Sequence, residues 1–97
     1  MIELSPRAQR HVARLAQHYD SLDRDAAVLN LATALTEAGD KSERDPAAGL
    51  PAPRPYPQLA KPGRRWLHVR RYWIASDRVP LCIVAVFYDR ANIPKRL

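Results

Sequence analysis

Histidine and arginine are the residue types in this sequence that could do chemistry, and that chemistry would act on an anion. His68 could be a general acid or base because the ordinary pKa of histidine lies near neutrality, although a packed or solvated side chain is the simpler interpretation. Arg70 and Arg71 stand where two strand-like segments join, or inside one long strand, and Arg90 follows the last apolar segment. Arginines in such places could hold a phosphate through charge-assisted hydrogen bonds, or contact an acidic protein.

The basic charge is concentrated in the second half of the sequence. The chain of 97 residues carries 16 Lys and Arg against 10 Asp and Glu, a net charge of +6. Residues 54–97 hold ten of these basic side chains but only two of the acidic ones, Asp77 and Asp89. Unpaired guanidinium groups are costly to bury, so this half is expected to present a positive surface. An anionic partner is indicated, namely nucleic acid, a nucleoprotein or an acidic protein; the alternative is a basic surface that only maintains solubility.

The sequence gives little support for a phosphate-binding loop, a metal site or a reactive thiol. The sequence has no glycine-rich phosphate-binding loop and no His-Glu-x-x-His motif. His11 and His18 could share a helix face, but two histidines without a carboxylate make a poor metal site. Cys82 stands near the start of the most apolar segment, where a buried thiol is expected to be unreactive. We therefore predict no cofactor and no metal. Trp66, Trp73 and the neighbouring tyrosines could stack on bases, but at least half of these rings are expected to be buried.

The sequence predicts a cytoplasmic protein. Its first residues show neither a basic region nor an apolar region of the secretory type. No apolar run approaches the roughly 20 residues that span a bilayer, so no membrane association is expected.

The first half of the chain predicts a short strand and two helices. Residues 2–4 alternate between apolar and polar side chains, as a strand does. A Ser-Pro pair, which suits a helix N-terminus, then begins an amphipathic helix over residues 6–19. Ser21 or Asp23 could cap a second, alanine-rich helix that runs from residue 26 toward an Asp-Pro pair. The short link between the helices predicts an antiparallel hairpin.

The second half predicts a proline-rich loop and a sheet. Residues 46–63 contain six of the nine prolines and are expected to form an extended, partly polyproline loop. A stiff connector that wraps the core is the favoured interpretation, and a ligand for a proline-recognition domain is the alternative. Residues 65–69, 72–75 and 81–88 are rich in aromatic and β-branched side chains. We predict one α+β domain over residues 1–97, with the helical hairpin packed on a three-stranded antiparallel meander. The far side of this meander and the trailing end of the chain are expected to be cationic.

The order of these motifs resembles the RelE/ParE superfamily of type II toxin–antitoxin toxins, and the ParE branch more than the RelE branch. The resemblance is carried by the opening Leu4-Ser5-Pro6-Arg7-Ala8, the second helix running toward Asp45-Pro46, the block Arg71-Tyr72-Trp73-Ile74, and the closing strand and tail over residues 84–94. It covers nearly the whole chain apart from the proline-rich loop. It implies a helical hairpin packed against a twisted antiparallel sheet.

The resemblance also implies a function and a set of partners. A ParE-like toxin, as in plasmid stabilisation systems, binds and inhibits DNA gyrase, stops growth, and is neutralised in a hetero-oligomer with a cognate, acidic antitoxin. The target contacts implied for this chain are Arg90, Lys95 and Arg96, and the antitoxin contacts are Arg65, Arg70 and Trp73.

The RelE branch provides an alternative function. Its members cleave mRNA in the ribosomal A site, and His68, Arg71 and Arg90 would then form the reactive cluster. Trp73 stands where that branch tends to carry a catalytic arginine, which favours a gyrase-binding toxin over an enzyme. A further alternative is a homologue that has lost activity and persists as an antitoxin-binding protein.

Overall fold

Two helices and a four-stranded sheet make up the α+β fold. The structure, a computed structural model, describes residues 3–22, 24–45, 48–78 and 81–89. Its elements are β1 (Glu3–Leu4), α1 (Pro6–Ser21), α2 (Asp25–Arg44), a 3-10 helix (Pro57–Leu59), β2 (Arg64–Val69), β3 (Tyr72–Arg78) and β4 (Leu81–Tyr88). The predicted order of one strand, two helices and three strands is confirmed. None of the helices in these described ranges is long and apolar enough to cross a membrane.

The sheet is mixed and has four strands: β2, β3 and β4 form the predicted antiparallel meander, but the sheet is not purely antiparallel because β1 joins it as a parallel strand. The strand order is β1-β4-β3-β2. β3 pairs antiparallel with both β2 and β4, whereas β1 pairs parallel with β4, placing Glu3 opposite Cys82 and Leu4 opposite Ile83. The Ser5 amide then donates to the Ile83 carbonyl at 2.8 Å. β1 supplies partners for backbone groups on an edge of β4 that would otherwise be open.

The start of α1 follows its sequence signals. Ser5 is the N-cap, and its Oγ accepts a hydrogen bond from the Ala8 amide at 3.1 Å. Pro6 occupies the first turn, where the missing N–H removes no helical hydrogen bond. The helix ends at Ser21, two residues beyond the predicted boundary.

Ser21, one of the two predicted N-caps of α2, does not cap that helix. The Ser21 Oγ donates to the His18 carbonyl at 2.7 Å and so belongs to the end of α1. Arg24 is the N-cap residue of α2 and makes no capping hydrogen bond through its side chain. Asp23, the other predicted cap, lies outside the described residues.

The sheet buries apolar side chains on both faces. The face toward the helices contributes Leu67, Ile74, Ile83 and Val86 to a buried cluster that also contains Leu31 and Ala34 of α2. The opposite face holds a second cluster of Trp66, Trp73, Ala75, Ala85 and Phe87. A β-bulge interrupts the alternation of side chains on β4: Ala75 pairs with Ala85 and Ser76 with Ile83, which leaves Val84 as the extra residue.

The proline-rich segment covers the second cluster. Leu50 and Trp66 exchange two backbone hydrogen bonds of 2.7 Å, which attaches the segment to the outer edge of β2. Leu50, Tyr56 and Leu59 pack against the aromatic cluster, and Pro53 is fully buried. For residues 48–63, the prediction of a connector that wraps the core is confirmed. The expectation of a cationic surface on this side of the sheet is wrong, because the face buries aromatic rings.

Candidate functional site

A cleft of about 1270 Å³ opens on the helix side of the sheet. It lies between the second half of α1, the start of α2, the turn joining β2 to β3, and the end of β4. Ligand-binding clefts commonly measure about 300–1,000 Å³, so this space accommodates an extended ligand. Four different elements meet here, which makes the site a product of the tertiary structure.

Arginines surround the mouth of the cleft. Arg14, Arg24 and Arg71 are exposed and line it. Among the described residues, no carboxylate forms an ion pair with any of these three. Arg70 also lines the cleft, but its Nη2 lies 3.0 Å from Glu37 Oε1. The cleft therefore has a positive field that described side chains only partly neutralise.

The turn between β2 and β3 presents two of these arginines. Val69 pairs with Tyr72, which leaves Arg70 and Arg71 as a two-residue loop. This agrees with the interpretation that the two arginines stand where two strands join. Arg70 has a φ of 57°. A left-handed conformation costs a non-glycine residue about 1–2 kcal/mol, so the turn keeps an arginine where glycine or asparagine would be easier to accommodate.

A pair of tyrosine hydroxyls lies at the bottom of the cleft. The Tyr19 and Tyr72 hydroxyl oxygens are 2.6 Å apart, and both side chains are buried. Burial raises the pKa of Tyr72 well above its ordinary value, and the hydrogen bond to Tyr19 adds to the shift. The hydroxyl therefore stays protonated. One of the two hydroxyl protons forms the hydrogen bond between the oxygens. The other hydroxyl proton has no acceptor within the described part of the chain.

His11 has a structural position beside the cleft. Its Nδ1 accepts a hydrogen bond from the Val86 amide at 3.2 Å, on the edge of β4 beyond the end of β1. Its ring centroid is 4.6 Å from that of Phe87. Burial lowers the pKa of His11, and the charges of Arg14 and two other α1 arginines lower it further. Neutral His11 can accept this bond, so its ring supplies a partner for the Val86 amide on the edge of β4 that β1 does not reach.

The residues predicted for a nuclease are partly brought together. His68 Nε2 lies 3.3 Å from Asp89 Oδ2, and its ring stacks on Trp73 with centroids 4.7 Å apart. The Asp89 amide donates to the Arg71 carbonyl at 2.9 Å. Asp89 thus connects His68 to Arg71 at the end of the sheet. Its Oδ1 is buried and has no partner among the described atoms. Arg90 lies outside the described residues.

The residues predicted to contact an antitoxin do not form one surface. Arg65 is half-buried, and its Nη2 donates to the Gly49 carbonyl. Arg70 is at the cleft, whereas Trp73 is 5% exposed within the second cluster. Of the residues predicted to contact the target, Arg90, Lys95 and Arg96 all lie outside the described residues. Their roles remain predictions.

Arg14, Arg24, Tyr19 and Asp89 were not among the site residues predicted from the sequence. The excess of basic residues lies in the second half of the chain, yet Arg14 and Arg24 belong to the first. The spacing of Arg7, Arg10 and Arg14, which places them on one face of α1, was the available signal. No such signal existed for Tyr19, because its partner Tyr72 is 53 residues away.

The remaining candidates make no site in the described ranges. No group of three or more metal-ligating side chains occurs among the residues with a described position. Burial raises the pKa of the half-buried Cys82 thiol, and Asp77 and Glu3 add to the shift. This agrees with the prediction of an unreactive thiol.

Comparisons with known proteins do not identify a family. No protein-family model matches the chain, and a search of curated proteins finds no significant relative.

Proposed function

We propose that this chain is the toxin of a type II toxin–antitoxin system, of the RelE/ParE superfamily and closer to its ParE branch. The observation that carries the proposal is the element order, with one strand, a helical pair and three strands, and with both helices packed on one face of the sheet. That is the arrangement which the resemblance implies. A net charge of +6 suits an acidic antitoxin, with which the toxin forms a hetero-oligomer.

The proposed target is DNA gyrase, which the toxin inhibits by binding in the cytoplasm. Binding needs neither a cofactor nor a reacting side chain. The contacts proposed from the resemblance are the cationic residues that follow β4, namely Arg90, Lys95 and Arg96. Cationic side chains speed the encounter with an anionic surface and fix the orientation of the partner.

A supercoiling assay tests the target. Purified protein in stoichiometric excess should inhibit gyrase, and changing Arg90, Lys95 and Arg96 together to Gln should abolish the inhibition. The matched control changes Arg44, Arg54 and Lys61 to Gln, which removes the same charge from exposed positions. Gyrase that stays fully active with the wild-type protein would show that the target is wrong. Unchanged growth on induction without antitoxin would instead favour an inactive homologue.

The genomic neighbourhood tests the toxin assignment itself. We expect an adjacent reading frame for a small acidic protein with a DNA-binding N-terminal region. Co-expression of that protein should restore growth and yield a stable complex with this chain. If no adjacent frame encodes an acidic protein, the toxin assignment is contradicted.

One observation favours a second candidate, a ribosome-dependent mRNA endoribonuclease. The Asp89 carboxylate orients the His68 ring, and the Asp89 backbone binds Arg71, so that a base and a phosphate-binding cation lie at the same end of the sheet. Primer extension on translated mRNA should then show cuts in the ribosomal A site. His68→Gln should abolish them and Asp89→Asn should weaken them. Toxicity without any cuts would exclude this candidate.

A further inference from the structure

Three arginines form a row along one exposed face of α1. Arg7, Arg10 and Arg14 are exposed and follow one another at spacings of three and four residues, which places them on the same side of the helix. At about 1.5 Å per residue, the row is roughly 10 Å long. Arg14, the last of the three, lines the cleft together with His11. The row therefore leads toward the cleft.

The row is not neutralised by the described part of the chain. The sequence of α1 has no acidic residue before Asp20, near its end. Within the described ranges, no carboxylate forms an ion pair with Arg7, Arg10 or Arg14. Charges of one sign held along a helix repel one another, so an arrangement of this kind gains stability from a bound polyanion.

The positive path continues inside the cleft. Arg14 belongs both to the row and to the lining of the cleft. Arg24 and Arg71 also line the cleft, and neither forms an ion pair with a described carboxylate. Below them, the buried Tyr19–Tyr72 pair retains one hydroxyl proton for which no described residue supplies an acceptor. A phosphate oxygen would be a suitable acceptor for it, because charged acceptors form the stronger hydrogen bonds.

We propose that the path from Arg7 along α1 into the cleft binds a single strand of nucleic acid. A linear row of arginines followed by an arginine-lined cleft matches a chain of phosphates better than a compact anion, which would contact only part of it. Tyr88 and His18 also line the cleft, and aromatic rings beside a cationic path let bases stack without sequence preference. This activity does not require that the protein bind gyrase, and it does not involve His68.

The test measures binding of fluorescent single strands of about 12 nucleotides, one of DNA and one of RNA, to the full chain by anisotropy. Comparison of the two strands distinguishes the source of the nucleic acid. A glutamate-rich peptide of similar charge is the third probe. The dissociation constant is measured over a range of salt concentrations, because each phosphate contact to a single strand contributes about −0.7 to the slope of log K against log salt.

Two double variants remove positive charge from the proposed binding path, and a third double variant serves as the control. Arg10→Gln with Arg14→Gln should weaken binding at least about ten-fold and reduce the salt slope by roughly 1.4. Arg24→Gln with Arg71→Gln tests the cleft in the same way. The control, Arg54→Gln with Lys61→Gln, removes the same charge from exposed positions of the proline-rich segment and should change the affinity less than about two-fold. Circular dichroism confirms that each variant is folded.

Three results would overturn the proposal. One is absence of binding to either strand at low salt. Another is equal loss of affinity in all three double variants, because that describes a non-specific basic surface. The third is tighter binding of the acidic peptide than of both strands, since the path would then be a protein-docking surface. A failed supercoiling assay would leave this result unchanged, so the two proposals can fail independently.

Discussion

At the scale of single residues, the described structure places titratable groups where their protonation affects packing. His11 accepts a backbone hydrogen bond only while it is neutral, and the Tyr19–Tyr72 pair is buried beneath a cationic cleft. These side chains contribute to stability and border the candidate site at once. Two predictions follow from their environments.

The first prediction concerns the pH dependence of stability through His11. Burial and the neighbouring arginines lower its pKa from the ordinary 6.5, so the unfolded chain binds this proton more readily than the folded one. The contribution of neutral His11 is therefore fully present above about pH 6.5 and is lost as the pH falls toward the folded pKa. Denaturant titrations of His11→Gln should show a weaker fall in the free energy of unfolding across this range. The matched control is His18→Gln, an exposed change on the same helix.

The second prediction concerns the two buried hydroxyls. Tyr72→Phe leaves the Tyr19 hydroxyl buried without its partner, so the free energy of unfolding should fall by about 1–3 kcal/mol. The double change, Tyr19→Phe with Tyr72→Phe, removes both polar groups. It should cost less than the sum of the single changes. Urea titrations of the three variants complete the cycle, and strictly additive values would show that the two hydroxyls do not interact.

At the scale of elements, the proline-rich segment acts as a cover for one face of the sheet. Gly49 has a φ of 99°, and a Cβ at this position would lie 2.6 Å from the Trp66 carbonyl oxygen. This close approach lets Leu50 pair with β2 next to the aromatic cluster. Without it, the segment could not both turn at residue 49 and join the sheet edge.

A glycine comparison tests this role. Gly63 also has a positive φ, 78°, but a Cβ there meets no atom within 4 Å. Gly63→Ala should cost about 1 kcal/mol for the backbone conformation alone. Gly49→Ala adds a clash with backbone and should destabilise the protein by at least about 2 kcal/mol. Thermal unfolding of both variants measures the difference, and equal losses would mean that the close approach does not matter.

At the scale of the whole molecule, one sheet is shared by two apolar clusters. The helices cover one cluster and the proline-rich segment covers the other, which contains both tryptophans. β3 and β4 contribute buried side chains to both clusters. If either the helices or the proline-rich segment detached, β3 and β4 would expose buried side chains, and the other cluster contains side chains of the same strands. The two clusters should therefore unfold together.

The corresponding experiment compares two probes of unfolding. Tryptophan fluorescence reports the cluster under the proline-rich segment, and far-ultraviolet circular dichroism reports the helices. The two urea transitions should have the same midpoint and slope. A fluorescence transition at lower urea would show that the proline-rich segment detaches before the helices unfold. Pro53→Ala, at a fully buried position of that segment, should shift both transitions together.

Local signals in the sequence determined the elements of this protein. The Ser-Pro pair placed the start of α1, apolar periodicity placed both helices, and β-branched and aromatic runs placed β2 to β4, because each of these signals acts between residues a few positions apart. The excess of basic side chains was equally visible. The sequence alone also indicated that the proline-rich loop, predicted over residues 46–63, would wrap the core.

Long-range pairing was decided only by the tertiary structure. The parallel alignment of β1 with β4 joins residues about 80 positions apart. A strand of two residues is too short for its sequence pattern to predict which strand it pairs with. The cleft likewise needs four elements to meet, and the Tyr19–Tyr72 bond and the position of Asp89 beside His68 exist only once they do. Which arginines remain unpaired depends on where acidic side chains arrive in space: Asp77 reaches Arg64 and Glu37 reaches Arg70, whereas no described acid reaches Arg14.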